Sequence, residues 1–191
     1  MAQEALRVVG FAGSLRKGSV NRLLLRAAAR AAPSGMSVIE LDISGVPMFN
    51  EDEETVGPPE GAVRFKEAVA AADGLLIVTP EYNSGTTAVT KNALDWASRR
   101  SRPGNVLDGK PVAIMSMSGG PNGNGQNARA QVRQAILFPG AVPMPRWDVG
   151  APGGAANFDE AGNLINEALA QRVTQAMVRF AEWIRLVAPW E

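Results

Sequence analysis

The strongest constraint on this chain is its alternation of short apolar segments with segments of helical periodicity. Residues 74–79 are almost uniformly apolar, as is typical of a strand buried on both faces of a sheet, and Pro80 ends the run. Between such runs, apolar residues recur at spacings of three and four, which is the helical pattern. The pattern predicts five strands, within residues 6–12, 37–43, 74–79, 111–117 and 141–148. Strands that alternate with helices favour a parallel sheet covered by helices on both faces.

We therefore predict an α/β fold of the flavodoxin-like type, with a five-stranded parallel sheet in the order 2-1-3-4-5. The length of 191 residues fits one domain, residues 1–191, without an internal repeat or an interdomain linker. Helices are predicted around residues 20–31, 62–72, 90–99, 126–137 and 169–187. Residues 44–60, rich in proline, glycine and acidic residues, are expected to form a loop with exposed charges. This strand order places a ligand crevice at the carboxyl ends of the first and third strands.

The chain contains no Cys and no His. Their absence excludes disulfides, thiol redox chemistry, the common zinc sites and a Ser-His-Asp hydrolase. An enzyme of this composition depends on a cofactor for its difficult chemistry. Because 19 basic residues balance 19 acidic ones, neither nucleic-acid nor membrane binding is expected. The N-terminal residues lack the apolar stretch of a signal peptide, so the expected location is the cytoplasm.

Residues 13–21, GSLRKGSVN, form a first loop that joins a buried strand to the N-terminus of a helix. Free backbone N–H groups and the helix dipole favour an anion at such a position. Ser14 and Ser19 add hydroxyl groups, and Arg16 adds a planar charge suited to phosphate. The glycine spacing imitates a Walker A loop, but Ser19 stands in the place of its lysine, which argues against a nucleoside triphosphatase. The first loop alone fits a phosphate site and a serine-rich capping turn equally well.

Two further loops follow the third and fourth strands. The second loop, residues 80–87 (PEYNSGTT), follows the most buried strand; its Tyr82 provides an aromatic face for a planar heterocycle, or packs against the protein. Gly85 is expected to let the chain turn there. The third loop, residues 116–125 (SMSGGPNGNG), has four glycines, which suit either close approach of the backbone to a ligand or a flexible connection. Because all three loops open at one edge of a parallel sheet, together they predict a ligand site.

These residues resemble the NADPH-dependent FMN reductases, a family that includes quinone, chromate and azo-dye reductases. The similarity covers nearly the whole chain and is concentrated in residues 13–21, in residues 80–83 (PEYN) and in residues 91–96 (KNALDW). One departure is that residues 84–90 read SGTTAVT where the family usually has a step like Pro-Gly. The helix at residues 126–137 also lacks the aromatic residue of many relatives. In the family this helix often contributes to subunit packing. The resemblance therefore implies a homodimer, with a tetramer as the less supported alternative.

The resemblance also implies FMN as the cofactor and NADPH or NADH as the co-substrate. It assigns the FMN phosphate to the first loop, at Ser14, Arg16, Ser19, Val20 and Asn21. It assigns the border of the isoalloxazine ring to the second loop, at Pro80, Glu81, Tyr82, Asn83 and Ser84. It assigns the ring or the ribityl chain to the third loop, at Ser116, Ser118 and Gly119. For Trp96 it implies packing or a subunit contact.

The implied activity is that of an FMN-dependent NAD(P)H oxidoreductase. Hydride passes from the nicotinamide to N5 of the flavin and on to a small acceptor: a quinone, chromate, an azo dye or free flavin. Because donor and acceptor share one flavin face, ping-pong kinetics are expected, and no protein acid or base is required. Two other functions stay open: a non-enzymatic FMN electron carrier, against which the zero net charge argues, and a flavin-free binding module on the same fold.

Overall fold

A parallel sheet forms the centre of the computed structural model, which describes residues 5–120 and 123–187. Within these ranges its strands are β1 (Leu6–Ala12), β2 (Met36–Leu41), β3 (Gly74–Val78), β4 (Pro111–Met117), β5 (Val142–Pro143) and β6 (Val149–Ala151). The order is β2-β1-β3-β4-β5, with every neighbouring pair parallel, and β6 also pairs with β4. The predicted strand order is confirmed, with β6 as a small addition.

Helices cover both faces of the sheet, as predicted. They are α1 (Val20–Arg30), α2 (Glu51–Val56), α3 (Glu60–Ala70), α4 (Ala88–Ser98), α5 (Gln126–Leu137) and α6 (Glu167–Val187), with a short 3-10 helix at Gly154–Asn157. Successive residues of β3 face opposite sides, so Leu76 packs with α1 and α6 whereas Leu75 packs with α3, α4 and α5. In the part of the chain that the structure describes, no helix is long and apolar enough to cross a membrane.

The fifth predicted strand is divided in two. β5 pairs with the start of β4, and β6 pairs with its end. Pro143 and Pro145 lie at the break, and proline has no N–H group with which to continue a ladder. Arg146 has a φ of 69°, which turns the chain between the two short strands. These residues explain why residues 141–148 do not form one strand.

The segment predicted as a loop, residues 44–60, contains the short helix α2. Acidic residues form its first turn, where negative charge is favourable near a helix N-terminus. Asn50 caps it, since the side-chain oxygen accepts a hydrogen bond of 3.0 Å from a backbone N–H of that turn. Arg99 pairs with Glu54 at 2.7 Å and with Glu51 at 3.1 Å. The loop prediction was wrong because α2 buries none of its residues and so carries no apolar periodicity.

The carboxyl ends of β1, β3 and β4 lie side by side at one edge of the sheet. Ala12 pairs with Val78, and Val78 pairs with Met115, so the three strands end at nearly the same height. The first loop follows β1 directly and the second follows β3 after Thr79, whereas the first two residues of the predicted third loop still belong to β4. The topology therefore brings the three loops together, as the sequence predicts.

Candidate functional site

The first loop leaves backbone donors free at the N-terminus of α1. Ser19 caps the helix, and its hydroxyl accepts a hydrogen bond of 3.4 Å from a backbone N–H of the first turn. The backbone N–H groups of Leu15, Lys17 and Gly18 have no acceptor among the described residues. Ser14 and Ser19 are buried, yet neither hydroxyl donates to a described residue. Free donors at the positive end of a helix dipole suit a phosphate group.

The other residues predicted at the phosphate differ in accessibility. Arg16 is exposed, and Val20 is the first residue of α1, where a backbone N–H has no partner within the helix. Asn21 is 2% exposed, and both ends of its amide are bonded to Met117: it donates to the carbonyl and accepts from the N–H, each at 2.9 Å. Asn21 therefore joins α1 to the end of β4 and supports the first loop from below.

The second loop is a tight hairpin. Tyr82 and Gly85 exchange two backbone hydrogen bonds of 2.9 and 3.0 Å, and the residues between them are Asn83 and Ser84. These two have φ values of 50° and 59°, the left-handed conformation that a type I′ turn requires. The expectation that Gly85 makes the turn was wrong, because the positive φ values belong to the two residues before it. Gly85 instead leaves room for α5, since a Cβ there would lie 2.9 Å from the side-chain oxygen of Gln131.

The hairpin is fastened to the first turns of α5. A carboxylate oxygen of Glu81 accepts from the backbone N–H of Ala128 at 3.0 Å, and the side-chain oxygen of Gln131 accepts from the N–H of Thr86 at 2.7 Å. Gly125 precedes α5 and provides no side-chain cap, so Glu81 supplies the cap from the second loop. The carboxylate predicted at the ring border thus holds two elements of the site together.

Ser116, predicted as the first residue of the third loop, lies in β4 and supports the rest of that loop from beneath. Its side chain is fully buried; the hydroxyl donates to the carbonyl of Asn124 at 2.8 Å and accepts from Arg129. Contrary to the prediction, Ser116 has no side-chain surface to offer to a ring or ribityl chain. Ser118 is half-buried and donates to a carbonyl within the loop, whereas Gly119 is exposed. Of the three residues predicted in this loop, the last two reach its surface.

Arg129 is the charged group beneath the third loop. Burial lowers the pKa of its guanidinium, and the carboxylate of Asp148 opposes that shift. The Nε atom of Arg129 lies 3.9 Å from an oxygen of Asp148, and Arg133 donates to the other oxygen at 2.7 Å. A Cβ at Gly150 would collide with the guanidinium, so this glycine of β6 makes room for it. Because the guanidinium also donates to the hydroxyl of Ser116 and to the carbonyl of Asn124, Arg129 fixes the third loop to α5 and to the start of β6.

A groove of about 480 Å³ lies between the first and second loops. Among the predicted site residues, Ser14, Arg16 and Tyr82 line it. The remaining lining residues are Gly13, Leu15, Thr87, Ala88 and Val89. Leu15 and Tyr82 are 52% and 53% exposed, so each presents apolar surface at the groove. An apolar groove beside a few polar donors is the usual form of a cofactor site.

Several predicted residues lie outside this lining. Asn83 and Ser84 are exposed at the tip of the hairpin, and Pro80 is buried at its base. Conversely, Thr87 and Val89 line the groove but are not among the predicted site residues. The sequence predicts that the helix begins near residue 90, whereas α4 begins two residues earlier. A signal was present: Thr87 is the N-cap of α4, and threonine is a preferred residue at that position.

Comparison with known proteins agrees with this geometry. A family model described as NADPH-dependent FMN reductase matches residues 6–156. The chain is 40% identical over 182 residues to an NAD(P)H-dependent FMN reductase of Pseudomonas aeruginosa, covering 94% of this chain and 96% of that protein. It is 38% identical over 181 residues to a 2-hydroxy-1,4-benzoquinone reductase of a Burkholderia species, covering 95% and 97%. A solved structure of a flavoenzyme NAD(P)H:(acceptor) oxidoreductase from Paracoccus denitrificans is similar with a TM-score of 0.85 at 29% identity, covering 95% of this chain and 98% of that one.

The conformation of Ser84 leads to a test of the hairpin. A left-handed φ costs a non-glycine residue about 1–2 kcal/mol, and glycine at this position of a type I′ turn removes that cost. Ser84→Gly should therefore raise the free energy of unfolding by about 0.5–1 kcal/mol, after the greater chain entropy of glycine is subtracted. Urea unfolding followed by circular dichroism measures the change.

Ser34→Gly is the matched control, since Ser34 is an exposed turn residue without a positive φ. There glycine adds entropy to the unfolded chain and relieves no strain, so the free energy of unfolding should not rise. If the two substitutions change stability by the same amount, the hairpin geometry described for Ser84 is incorrect.

Proposed function

The chain belongs to the family of NADPH-dependent FMN reductases, and from that membership we propose that it binds FMN across the first and second loops and carries reducing equivalents from NADPH or NADH to a quinone. The observation that carries this proposal is the set of free backbone donors in the first loop beside an apolar groove of about 480 Å³. We place the site in one cytoplasmic domain that spans the chain.

The first loop fits the phosphate end of FMN. A phosphate dianion needs several donors and positive charge, and the free N–H groups of residues 15, 17 and 18 supply the donors. The hydroxyls of Ser14 and Ser19 stand beside them with their hydrogens free for an acceptor outside the described chain. Arg16 is exposed at the groove and adds a guanidinium, whose planar donors match phosphate oxygens.

The groove fits the ring end. Leu15 and Val89 line it with aliphatic side chains, and Tyr82 adds an aromatic face. A planar ring in the groove can therefore contact apolar surface of the first loop, of the second loop and of α4. The backbone N–H groups of Asn83 and Ser84 have no acceptor among the described residues, and they are proposed to bond to the polar edge of the ring. Because Glu81 fastens the hairpin to α5, these donors are held in place.

The residues of the groove bind and orient, and none of them is required to transfer a proton. FMN, when bound, supplies the hydride-accepting and electron-donating chemistry. The titratable side chains among the lining residues are Arg16 and Tyr82, and the chain has no His or Cys. The groove lies at the surface, where Leu15 and Tyr82 stay half-exposed, so nicotinamide and acceptor are proposed to enter in turn with ping-pong kinetics.

Rapid mixing of the FMN-loaded protein with NADPH or NADH under anaerobic conditions tests the proposed function. Nicotinamide should bleach the flavin absorbance, and a benzoquinone should restore it; chromate and an azo dye are the comparison acceptors. Steady-state rates at several quinone concentrations should give parallel double-reciprocal lines. A flavin that dithionite reduces but neither nicotinamide does would indicate an electron carrier, and a protein that takes up no FMN would contradict the proposal altogether.

Substitution of Arg16 tests the phosphate end. A hydrogen bond to a charged group contributes about 1.5–3 kcal/mol, so Arg16→Ala should weaken FMN binding by about 10- to 150-fold. Riboflavin has no phosphate, and its affinity should stay unchanged. Titration followed by flavin fluorescence gives both constants. Lys17→Ala is the control, because Lys17 is in the same loop but does not line the groove; a loss shared equally by FMN and riboflavin in Arg16→Ala would place Arg16 elsewhere.

We also propose a homodimer. Phe138 is 99% exposed and Leu137 is 56% exposed at the end of α5, which makes an apolar surface for a second copy. Trp96 takes no part, because it is 0% exposed and its indole donates to the carbonyl of Pro47 at 2.8 Å. Light scattering should give about twice the chain mass of 20.1 kDa, and Phe138→Glu should shift it towards one chain. A fully active monomer at micromolar concentration would contradict the dimer.

A further inference from the structure

Four threonines connect the second loop to the first. The Oγ1 atom of Thr86, which directly follows the hairpin, lies 2.8 Å from that of Thr79, which follows β3. Thr79 Oγ1 lies 3.1 Å from Thr90 Oγ1, which lies 2.8 Å from Thr87 Oγ1. The hydroxyl of Thr87 donates to the carbonyl of Gly13 at 2.7 Å. We name this series of hydroxyls the threonine chain.

The direction of the threonine chain follows from its last acceptor. The carbonyl of Gly13 can only accept, so the single hydroxyl hydrogen of Thr87 is used there. Thr90 must then donate to Thr87. Because the hydrogen of Thr90 is used there, the 3.1 Å contact between Thr79 and Thr90 is a hydrogen bond only with Thr79 as its donor, and the carbonyl of Pro80, also 3.1 Å away, competes for that hydrogen. With Thr79 donating to Thr90, the hydroxyl of Thr86 donates to Thr79. Hydrogen bonds that run in one direction strengthen one another in a buried place.

The surroundings of the threonine chain leave little room for movement. Thr79 and Thr90 are 0% exposed, and Thr87 is 6% exposed. A Cβ at Gly13 would collide with the hydroxyl of Thr90 and would lie 3.2 Å from that of Thr87. A shift of the first loop against the second would stretch these bonds and leave buried hydroxyls without partners, which is costly. The contact therefore fixes one loop relative to the other.

We propose that the threonine chain sets the separation between the phosphate end and the ring end of the cofactor site, with its four members acting as positioning residues. The proposal rests on the FMN site described above. Gly13 directly precedes the proposed phosphate donors, while Thr86 directly follows the hairpin. Three of the four threonines fall within residues 84–90, between the hairpin and the first turn of α4. The threonine chain thus joins the two loops through this short segment.

Comparison of FMN with riboflavin tests this role, because FMN spans both loops and riboflavin lacks the phosphate. Thr87→Val keeps the side-chain shape and removes the donor to Gly13, whereas Thr87→Ser keeps the hydroxyl. The ratio of the riboflavin Kd to the FMN Kd should fall about tenfold in Thr87→Val, a factor that corresponds to about 1.4 kcal/mol, and should recover in Thr87→Ser. In the flavin-free protein, amide hydrogen exchange of Gly13 and Ser14, whose N–H groups are bonded at 2.8 Å to the carbonyls of Val78 and Ala12, should accelerate in the valine variant but not in the serine variant.

Thr90→Val is the second variant, because Thr87 also caps α4 and its replacement by valine could prevent folding. This variant keeps the hydroxyl of Thr87 and removes the hydroxyl of Thr90 that donates to it. The ratio of the riboflavin Kd to the FMN Kd should therefore also fall, by a smaller factor. Thr174→Val is the control: Thr174 is an exposed residue of α6 whose hydroxyl donates to the carbonyl of Ala170 at 3.0 Å.

The outcomes separate the two proposals. If both valine variants weaken FMN and riboflavin equally, or leave both unchanged, the threonine chain is merely structural and the positioning role is overturned. If the unsubstituted protein itself binds FMN no more tightly than riboflavin, the proposed phosphate site fails, whatever the variants show.

Discussion

Backbone pairing between β1, β3 and β4 determines where every other part of the site can lie. Gly10 lets α1 pack closely on this part of the sheet, since a Cβ there would lie 2.7 Å from Leu25 Cδ1 and 3.1 Å from the carbonyl of Leu76. With the three strands in parallel register, their carboxyl ends meet at one edge. Loops that are distant in the sequence then become neighbours, and side chains at their bases can bond across the gaps.

Those side chains hold the segments of the site together, and Thr87 also lines the groove. Thr87 joins the first loop to the second, Asn21 joins α1 to the end of β4, and Glu81 joins the hairpin to α5. Each bonds to a backbone group of another segment, so each stabilises the position of one segment relative to the other. The half-exposed side chains of Leu15 and Tyr82 line the groove and remain available to a ligand. A reductase whose chemistry belongs to a flavin needs this arrangement more than it needs reactive side chains.

The sequence predicted the sheet well because apolar runs and helical periodicity follow directly from burial. The bounds of β4 and α5 agree with the predicted 111–117 and 126–137, while α2 escaped prediction because it buries nothing. Within the site, polar residue types indicated the correct loops but not the partner of each side chain. Ser116 and Asn21 were expected at a ligand. The amide of Asn21 instead bonds to the backbone of Met117, and the hydroxyl of Ser116 bonds to the carbonyl of Asn124 in the third loop. Such pairings depend on the tertiary structure, which a local pattern does not contain.

The bond between Asn21 and Met117 also has a consequence for the order in which the protein is made. These residues are separated by 96 positions in the chain. At about 5–20 residues per second, a ribosome needs about 5–20 seconds to advance from one to the other. Throughout that interval α1 has no β4 to lie against, and the amide of Asn21 lacks the two backbone partners that it has in the folded protein. The first loop therefore acquires its final support only after synthesis has passed Met117.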